Sequence, residues 1–340
     1  MNRNLRGKIS SIIFQPAILP FVNRPFIVLF NLTERCNLRC VYCFGQYYSD
    51  TQDLTLAQAG TILSGFYELG ARRLGLGGGE PLLYQHIEGL IEFSVNLGFS
   101  VGLNSNGILV PRYISSLKKL SNLSISLDGV SPETHDKYRG KGSFHKAMEG
   151  IECAYKSGIP LHLCVTLTDA NADELPEIIE LAKSFKAMVQ VSPLYGQAGK
   201  EQNASFPPFL SKERFLSAIE WLIKEKKKNG NIFFSERTYQ IIKEWPDHHR
   251  DTAGVRRKRH PLCLAGKKFV HLDSAGKLYP CARASYQMQG NSCLAMGVKE
   301  AYATLPSAPC KSCIWACYLE YNSLLNLSWD HLWNFIKGAN

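Results

Sequence analysis

The sequence lacks any long uninterrupted apolar run. Its 340 residues contain no segment that approaches the roughly 20 apolar residues a membrane-spanning helix needs. The nearest candidate, residues 16–30, is interrupted by Asn23, Arg24 and two further prolines. The first residues also lack a compact apolar core followed by a small-residue cleavage site, which excludes an ordinary secretory signal. These absences make the cytoplasm the expected location.

The chain also lacks an acidic excess, internal repeats and low-complexity segments. Its 39 Lys and Arg residues outnumber 29 Asp and Glu residues, for a net charge of +10. Two runs carry much of the excess, residues 256–260 and 224–228. Such runs are typical of a solvated surface; the alternatives are attraction to an anionic substrate, a lipid surface or an acidic peptide. Because no aromatic-interleaved basic motif accompanies the charge, we expect no nucleic acid partner.

Cysteine, by contrast, is abundant and unevenly distributed. Of eleven cysteines, three fall within residues 36–43 and six within residues 263–317. In a reducing compartment, clustered thiols indicate metal binding rather than disulfides. Cys153 and Cys164 are isolated in apolar surroundings, where we expect them to pack as small hydrophobic side chains.

Short apolar runs alternate with amphipathic stretches from residue 25 to about 192. The predicted strands are 26–32, 73–77, 100–104, 123–127, 161–167 and 188–192. The predicted helices are 55–69, 87–97, 111–120, 144–156 and 175–185. This alternation predicts an α/β fold with a parallel sheet. Because six strands are fewer than the eight of a closed barrel, we expect an open, partial (β/α)6 TIM-like barrel with its chemistry at the carboxyl ends of the strands.

The pattern changes after residue 192. A polar stretch at 195–208 leads into a lysine-rich helix at 211–228, and no sustained βα pattern follows. We therefore expect three parts: an N-terminal extension (1–24), the barrel with its linker helices from about 195 (25–240), and a cysteine-rich C-terminal domain (241–340).

The first three cysteines follow the first predicted strand with the spacing Cys36-x3-Cys40-x2-Cys43. Thiolates this close in a loop can converge on a single metal centre. A structural zinc site requires four protein ligands, whereas a four-iron cluster held by three cysteines keeps one iron open for a substrate. The alternatives are a zinc site completed by a distant residue, or cysteines without a ligand.

This spacing resembles the CxxxCxΦC signature of the radical S-adenosylmethionine superfamily, in which an aromatic residue precedes the third cysteine. Tyr42 occupies the aromatic position, which in that superfamily lies near the adenine. The resemblance implies that Cys36, Cys40 and Cys43 hold a catalytic 4Fe–4S cluster whose open iron chelates the amino and carboxylate groups of S-adenosylmethionine. It also implies that one electron splits the sulfonium into methionine and a 5′-deoxyadenosyl radical, which abstracts a hydrogen from the substrate.

The glycine-rich segment at residues 77–81 resembles the GGEP loop of the same superfamily. It ends the second predicted strand. Gly78 and Gly79 would let the backbone approach a ligand closely. Glu80 can accept a hydrogen bond from a cationic amino group. The alternative is an ordinary glycine turn.

Polar residues at the ends of the next strands also resemble the superfamily in order. Asn104 and Asn106 lie in a segment similar to its TNG segment. Ser126 and Asp128 lie in one like its SLDG segment, which is associated with ribose and carboxylate contacts. For Arg139 the resemblance implies pairing with the cofactor carboxylate; the alternative is an ordinary surface arginine. The resemblance covers residues 25–195.

The second group of cysteines resembles the SPASM and twitch extensions, which add auxiliary iron–sulfur clusters to some radical enzymes. Residues 273–281 fit the β-hairpin of that extension, with Gly276 at the tight turn. The full SPASM pattern has seven cysteines and two auxiliary clusters. Here the second group is shorter than CxxCx5CxxxC and no cysteine follows Cys317. We therefore expect one auxiliary 4Fe–4S cluster.

The resemblance implies Cys263, Cys281 and Cys313 as ligands of that cluster, with Cys310 or Cys317 as the fourth. Cys293 is expected to be a packed thiol. A zinc ribbon with a similar number of cysteines is the alternative. A fully ligated auxiliary cluster passes electrons to or from the substrate, whereas one with an open iron binds the substrate directly; the surplus of ligands favours electron transfer.

The resemblance implies a low-potential electron donor such as flavodoxin or ferredoxin. About 25 residues precede the first strand, too few for the leader-binding domain of many peptide-modifying relatives. We therefore expect a small-molecule or lipid-linked substrate, which leaves room for peripheral membrane contact. The alternatives are a SPASM-type maturase that modifies a ribosomal peptide or protein side chain, and a non-catalytic iron–sulfur or zinc protein.

Overall fold

The computed structural model describes residues 24–43, 52–196, 208–228 and 230–326. Nearly all of the predicted N-terminal extension and most of the polar stretch at 195–208 lie outside these residues. No described helix is long and apolar enough to cross a membrane.

The predicted partial barrel is confirmed. Its parallel strands are β1 (Ile27–Asn31), β2 (Arg73–Gly77), β3 (Ser100–Ser105), β4 (Asn122–Ser126), β5 (Leu161–Leu167) and β6 (Met188–Pro193), hydrogen-bonded in that order. The covering helices are α1 (Leu56–Glu68), α2 (Ile87–Leu97), α3 (Val110–Leu117), α4 (Pro132–Arg139), α5 (Ser143–Lys156) and α6 (Leu175–Ser184). All except α4 were predicted. This helix is short and polar, without an apolar stripe, and only Pro132 at its first turn signals it.

The strands alternate between two faces. In β5, Leu161, Leu163, Val165 and Leu167 are buried among the apolar residues of the main core. The intervening residues His162, Cys164 and Thr166 are only partly buried and face the opposite, inner side of the curved sheet. Apolar side chains therefore hold the barrel to its helices, and polar ones line its interior.

The cysteine-rich region extends the same sheet. Strand β8 (Phe269–Leu272) pairs in parallel with β1, and β9 (Lys277–Tyr279) and β10 (Asn291–Ser292) continue antiparallel from it. The predicted hairpin is confirmed: Gly276 turns between β8 and β9 with a φ of 78°. The parallel pairing of β8 with β1 was not predicted.

The remaining elements lie around the carboxyl-terminal half. They are α7 (Lys212–Lys228), α8 (Glu236–Lys243), β7 (Thr252–Ala253), α9 (Cys293–Met296), α10 (Val298–Ala303), β11 (Ser312–Cys313) and α11 (Ala316–Leu325), with β7 antiparallel to β11. Helix α11 spans from the β6 side to β8. Its Ala316 amide donates to the Tyr195 hydroxyl over 2.9 Å, and its Tyr318 ring stacks on Phe269 of β8.

Candidate active site

The loop after β1 carries Cys36, Cys40 and Cys43, all partly buried. The Cys36 thiol accepts from the Leu38 amide over 3.4 Å, and the Cys43 amide donates to the Cys40 carbonyl over 3.0 Å. Burial raises the pKa of Cys36, and the nearby charges of Glu80 and Cys40 add to the effect. The first two thiols are thus electrostatic neighbours on one loop.

The glycines after β2 support this loop directly. The Gly79 amide donates to the Thr33 carbonyl over 2.9 Å, and the Glu80 amide donates to the Arg35 carbonyl over 2.8 Å. A Cβ on Gly79 would lie 2.2 Å from the Arg35 carbonyl oxygen, and one on Gly78 would lie 2.6 Å from that of Thr33. In the described residues, the backbone that approaches these glycines closely is the cysteine loop itself.

Glu80 is fully buried between the ends of β2 and β3. Its carboxylate accepts from the Ser105 hydroxyl over 2.9 Å and from the backbone amides of Leu82 and Asn106 over 3.2 and 2.8 Å. Burial raises the pKa of Glu80 to about 7, although these three donors lower it. The Asn106 side chain in turn donates to that of Asn37, inside the cysteine loop, over 2.7 Å.

Asp128, Arg139 and Tyr42 form one buried network. The Arg139 Nε atom lies 2.6 Å from one carboxylate oxygen of Asp128, and the Tyr42 hydroxyl donates to the same oxygen. The other carboxylate oxygen accepts from the Thr166 amide over 2.8 Å. Arg139 is 8% exposed, so the alternative of an ordinary surface arginine is wrong. Since Arg139 also lies near Cys40, the network joins the end of β4 to the cysteine loop.

Two residues of this network were missed from the sequence. The His135 Nδ1 atom accepts from the Asp128 amide over 3.2 Å, and the Asn171 side chain donates to the Asp128 carbonyl over 2.9 Å. Burial lowers the pKa of His135 to about 4, with a further contribution from Arg139, so the imidazole stays a neutral acceptor. The only sequence signal for His135 is its place in the short helix α4, which was itself missed.

The remaining predicted residues of the barrel face its interior. Asn104 is exposed on β3 and pairs in register with Ser124 of β4. Ser126 of β4 is partly buried and pairs in register with Cys164 of β5. Farther from these strand ends, on β5 and β6, the side-chain nitrogen of Gln190 lies 2.6 Å from the His162 ring. The side-chain oxygen of Gln190 lies 3.6 Å from the Cys164 thiol. This polar inner surface was not recognised in the sequence, because its members lie within the short apolar runs that were predicted as strands.

Four thiols of the carboxyl-terminal region influence one another's charge. Burial raises the pKa of Cys313, and the charges of Cys263, Cys310 and Cys281 raise it further. Burial also raises the pKa of Cys281 to about 12, with contributions from Cys310 and Cys263. These four thiols are therefore electrostatic neighbours, and backbone N–H groups of Ala284, Ala265 and Trp315 reach their sulfur atoms.

Cys317 lies on α11, in the same apolar cluster as Cys281 and Cys313. Burial raises its pKa to about 12, and the charge of Cys164 inside the barrel adds to the effect. Cys293 is 4% exposed in the main core, whereas Cys153 is partly buried on α5.

The donor set suits iron–sulfur chemistry. Cysteine thiolates that receive backbone N–H hydrogen bonds are the usual ligands of four-iron clusters, and these bonds tune the reduction potential. Three thiols lie on the first loop, and four in the carboxyl-terminal region influence one another's charge. Within the described residues, no three Cys, His, Asp or Glu side chains are placed to hold a single metal ion.

Comparison with known proteins places this geometry in context. The chain matches the family described as the Radical SAM superfamily over residues 30–182. It is 27% identical to the AdoMet-dependent heme synthase of Methanosarcina barkeri over 274 residues, 78% of this chain and 78% of that protein. It is 32% identical to a probable GTP 3′,8-cyclase of Archaeoglobus fulgidus over 264 residues, 74% of this chain and 83% of that protein.

Among solved structures, Streptococcus suis SuiB bound to S-adenosylmethionine has a similar fold. The TM-score is 0.68 at 13% identity, covering 87% of this chain and 69% of that one. The same protein bound to its precursor peptide SuiA gives a TM-score of 0.66.

Proposed function

The chain belongs to the radical S-adenosylmethionine superfamily, and we propose that it abstracts a hydrogen atom from a small-molecule or lipid-linked biosynthetic substrate with the help of one auxiliary 4Fe–4S cluster. It is an enzyme whose cofactors are a 4Fe–4S cluster and S-adenosylmethionine. When bound, these supply a 5′-deoxyadenosyl radical. The observation that carries the proposal is the convergence of the cysteine loop, Glu80 and the Asp128–Arg139 pair at the carboxyl ends of β1 to β4.

We assign the first site as follows. Cys36, Cys40 and Cys43 hold the catalytic cluster. Glu80, fixed by its three donors, is the acceptor for the cofactor's amino group. Gly78 and Gly79 hold the loop against β2, and Asn106 ties it to β3.

The other residues of the strand ends orient the cofactor. Asp128 and Arg139 form a buried ion pair, and Tyr42 is fixed by its bond to Asp128. Asn104 and Ser126 present polar side chains on the inner face of the barrel, where they would contact the nucleoside of the bound cofactor.

The auxiliary cluster is assigned to Cys263, Cys281, Cys310 and Cys313, the four thiols whose charges influence one another. We therefore propose Cys310 rather than Cys317 as the fourth ligand. Full ligation by cysteine favours electron transfer over substrate binding. We also propose a boundary near residues 240–262 between the barrel and the region that holds this cluster, although β8 to β10 belong to the barrel sheet.

The substrate class is supported by two features. Two relatives matched over most of their length are named for the synthesis of heme and the cyclisation of GTP, both small molecules. In addition, the inner face of the barrel carries polar side chains, including His162, Cys164 and Gln190, that can hydrogen-bond to a polar small molecule. The SuiB likeness concerns the fold, so a peptide substrate is kept as an outcome of the test.

The catalytic proposal is tested by anaerobic reconstitution followed by dithionite and S-adenosylmethionine. We expect 5′-deoxyadenosine from the wild type and from Cys153→Ala, and none from Cys40→Ala. Equal production by wild type and Cys40→Ala would contradict the proposal.

Iron and sulfide analysis tests the cluster assignment. We expect about eight irons per chain, four for each cluster, falling to about four in Cys310→Ala and staying near eight in the matched Cys317→Ala. About twelve irons would indicate two auxiliary clusters, and four with zinc would indicate a ribbon.

The substrate class is tested with an extract of the source organism that has been passed through an ultrafiltration membrane. We expect the small-molecule filtrate, or an organic extract of the lipids, to stimulate 5′-deoxyadenosine formation. If protease treatment of the extract abolishes the stimulation, the substrate is a peptide and not a small molecule.

A further inference from the structure

One buried carboxylate contacts two of the segments that carry the auxiliary thiols. It belongs to Asp251, which directly precedes β7 and is 5% exposed. Its Oδ2 atom accepts from the Arg283 Nε atom over 2.7 Å and from the Trp315 indole N–H over 3.0 Å. Its Oδ1 atom lies 3.5 Å from a second nitrogen of the same guanidinium. Two donors from separate parts of the chain therefore share one acceptor oxygen.

The first donor, Arg283, belongs to the turn that follows Cys281. The Ala284 amide donates to the Cys281 carbonyl over 3.1 Å and closes this turn. The guanidinium leaves the turn to form the ion pair with Asp251, and only 13% of the Arg283 side chain is exposed. Because the turn is tight, the ion pair anchors the backbone that carries the Cys281 thiol.

The second donor, Trp315, lies two residues after Cys313. Strands β7 and β11 are antiparallel, and Thr252 is the partner of Cys313 in their register. The Ile314 amide donates to the Asp251 carbonyl over 2.9 Å. The backbone and the carboxylate of Asp251 therefore both hold the segment that carries the Cys313 thiol.

Apolar packing brings the same two segments together. Cys281 is buried in a cluster against which Cys313 and Trp315 pack. The Tyr318 hydroxyl also accepts from the Ala282 amide over 3.0 Å, which is a second hydrogen bond between the segments. That bond is neutral, whereas the contact through Asp251 adds a buried charge of each sign beside the thiols.

A buried ion pair alone is weak evidence for a role beyond folding, since well-packed apolar side chains can often replace one without loss of stability. Here the shared oxygen joins a donor two residues from one thiol to a donor two residues from another. Groups that hold the ligands of a metal site from behind orient those ligands, and charges near an iron–sulfur cluster shift its reduction potential. The arrangement therefore suits the support of a cluster.

We propose that Asp251 is a positioning residue of the auxiliary cluster: it holds the segments of Cys281 and Cys313 against each other and, together with Arg283, sets the reduction potential of the cluster. The inference rests on the proposed function, because it takes the four assigned thiols as cluster ligands. The negative charge of Asp251 disfavours an added electron on the cluster, and the positive charge of Arg283 favours it.

Iron content of the reconstituted full-length protein tests the positioning role. In Asp251→Ala, Arg283 and Trp315 lose their shared acceptor, and we expect about four irons per chain instead of about eight. In Asp251→Asn the amide oxygen can accept from both donors, so we expect about eight irons. The matched control is Tyr318→Phe, which removes the neutral bond to Ala282 and is also expected to keep about eight irons.

A redox titration followed by electron paramagnetic resonance tests the effect of the charges. The auxiliary signal is the one that Cys40→Ala keeps and Cys310→Ala lacks. We expect Asp251→Asn to raise its reduction potential and Arg283→Gln to lower it. Each shift is expected to change the ratio of oxidised to reduced cluster roughly tenfold, which is about 59 mV for one electron.

Two further variants separate these charges from a general disturbance of the fold. In Asp251→Asn/Arg283→Gln both charges are removed, so we expect the ratio to stay within about threefold of wild type. Glu244→Gln removes a carboxylate from the exposed pair with Arg259 and is expected to stay within about twofold, because solvent screens that charge.

Shifts of the same sign in Asp251→Asn and Arg283→Gln, or shifts no larger than that of Glu244→Gln, would overturn the role in setting the potential. About eight irons in Asp251→Ala, or equal loss from Asp251→Ala and Asp251→Asn, would overturn the positioning role. If the wild type instead holds four irons and one zinc, the proposed auxiliary cluster is refuted. The zinc content of the same two variants then decides the positioning role, which zinc retained in Asp251→Ala would overturn.

Discussion

Three consecutive glycines at the end of β2 differ in what surrounds them. A Cβ on Gly77 would meet its nearest neighbour, the Asn31 side chain, at 3.6 Å, an ordinary contact. A Cβ on Gly79 would overlap the backbone carbonyl of Arg35 at 2.2 Å. Because Arg35 precedes Cys36, the space left by Gly79 determines where the cysteine loop can lie.

We therefore predict that Gly79→Ala displaces the cysteine loop and that Gly77→Ala does not. The clash is with backbone, which cannot rotate away as a side chain can. Iron content is expected to fall from about eight to about four per chain in Gly79→Ala, since only the auxiliary cluster remains. Retention of about eight irons and of full 5′-deoxyadenosine formation in Gly79→Ala would contradict this account.

The buried pair of Asp128 and Arg139 makes a different prediction. Replacing Arg139 with Met leaves the Asp128 carboxylate buried without a cation, which we expect to lower the free energy of unfolding by about 3–5 kcal/mol. In the double variant Asp128→Asn/Arg139→Met, neither position carries a buried charge. We therefore expect it to be roughly 1–3 kcal/mol more stable than Arg139→Met. Anaerobic urea titrations of the wild type, the two single variants (Asp128→Asn and Arg139→Met) and the double variant measure the coupling. Strictly additive effects would show that the two side chains do not act as a pair.

Among the secondary-structure elements, those with strong local signals were predicted to the residue. The bounds of β2, β5 and α2 agree with the prediction; α2, for example, ends where Gly98 takes up a φ of 107°. The pairing of β8 with β1 was not predicted, because Phe269 and Ile27 are far apart in the chain and no local pattern specifies a parallel partner. For a similar reason, the sequence identified single motif residues of the site but not the contacts among them. The bonds among Asp128, Arg139 and Tyr42 depend on how the strand ends meet.

Helix α8 depends on a residue from another element. The carboxylate of Glu320, on α11, accepts from the Ser235 amide and hydroxyl over 3.1 and 2.9 Å and from the Thr238 hydroxyl over 2.7 Å. Ser235 caps α8, so a buried negative charge lies at the positive end of that helix. These three hydrogen bonds link α8 to α11.

We predict that Glu320→Ala lowers the free energy of unfolding by roughly 3 kcal/mol, because it leaves two hydroxyls and an amide of α8 without their shared acceptor. The matched control is Glu177→Ala, an exposed glutamate in the first turn of α6, with an expected loss below about 1 kcal/mol. Urea titration measures both. Equal losses in the two variants would mean that the Glu320 bonds contribute nothing beyond an ordinary helix-end charge.

The molecule as a whole places its polar groups on the inner face of the barrel and its excess positive charge outside. Two histidines belong to the inner region. His162 lies on β5 beside Gln190, and His271 on β8 is 2% exposed. Burial lowers the pKa of each to about 4, with Arg73 contributing at His162. Both are therefore neutral in the folded protein at neutral pH.

This burial makes the stability of the whole fold sensitive to acid. The folded-state pKa of each histidine is below its unfolded value of 6.5, so its full contribution is present above pH 6.5 and is lost as the pH falls towards 4. Between about pH 7.5 and 5.5 we expect the wild type to lose roughly 2.5 kcal/mol more than His162→Gln/His271→Gln. All variants carry the same clusters, so the acid sensitivity of the clusters cancels in this difference. His145→Gln, at an exposed site on α5, is the control substitution. Parallel pH curves for wild type and the double variant would show that the interior of the barrel admits enough water to solvate a charged histidine.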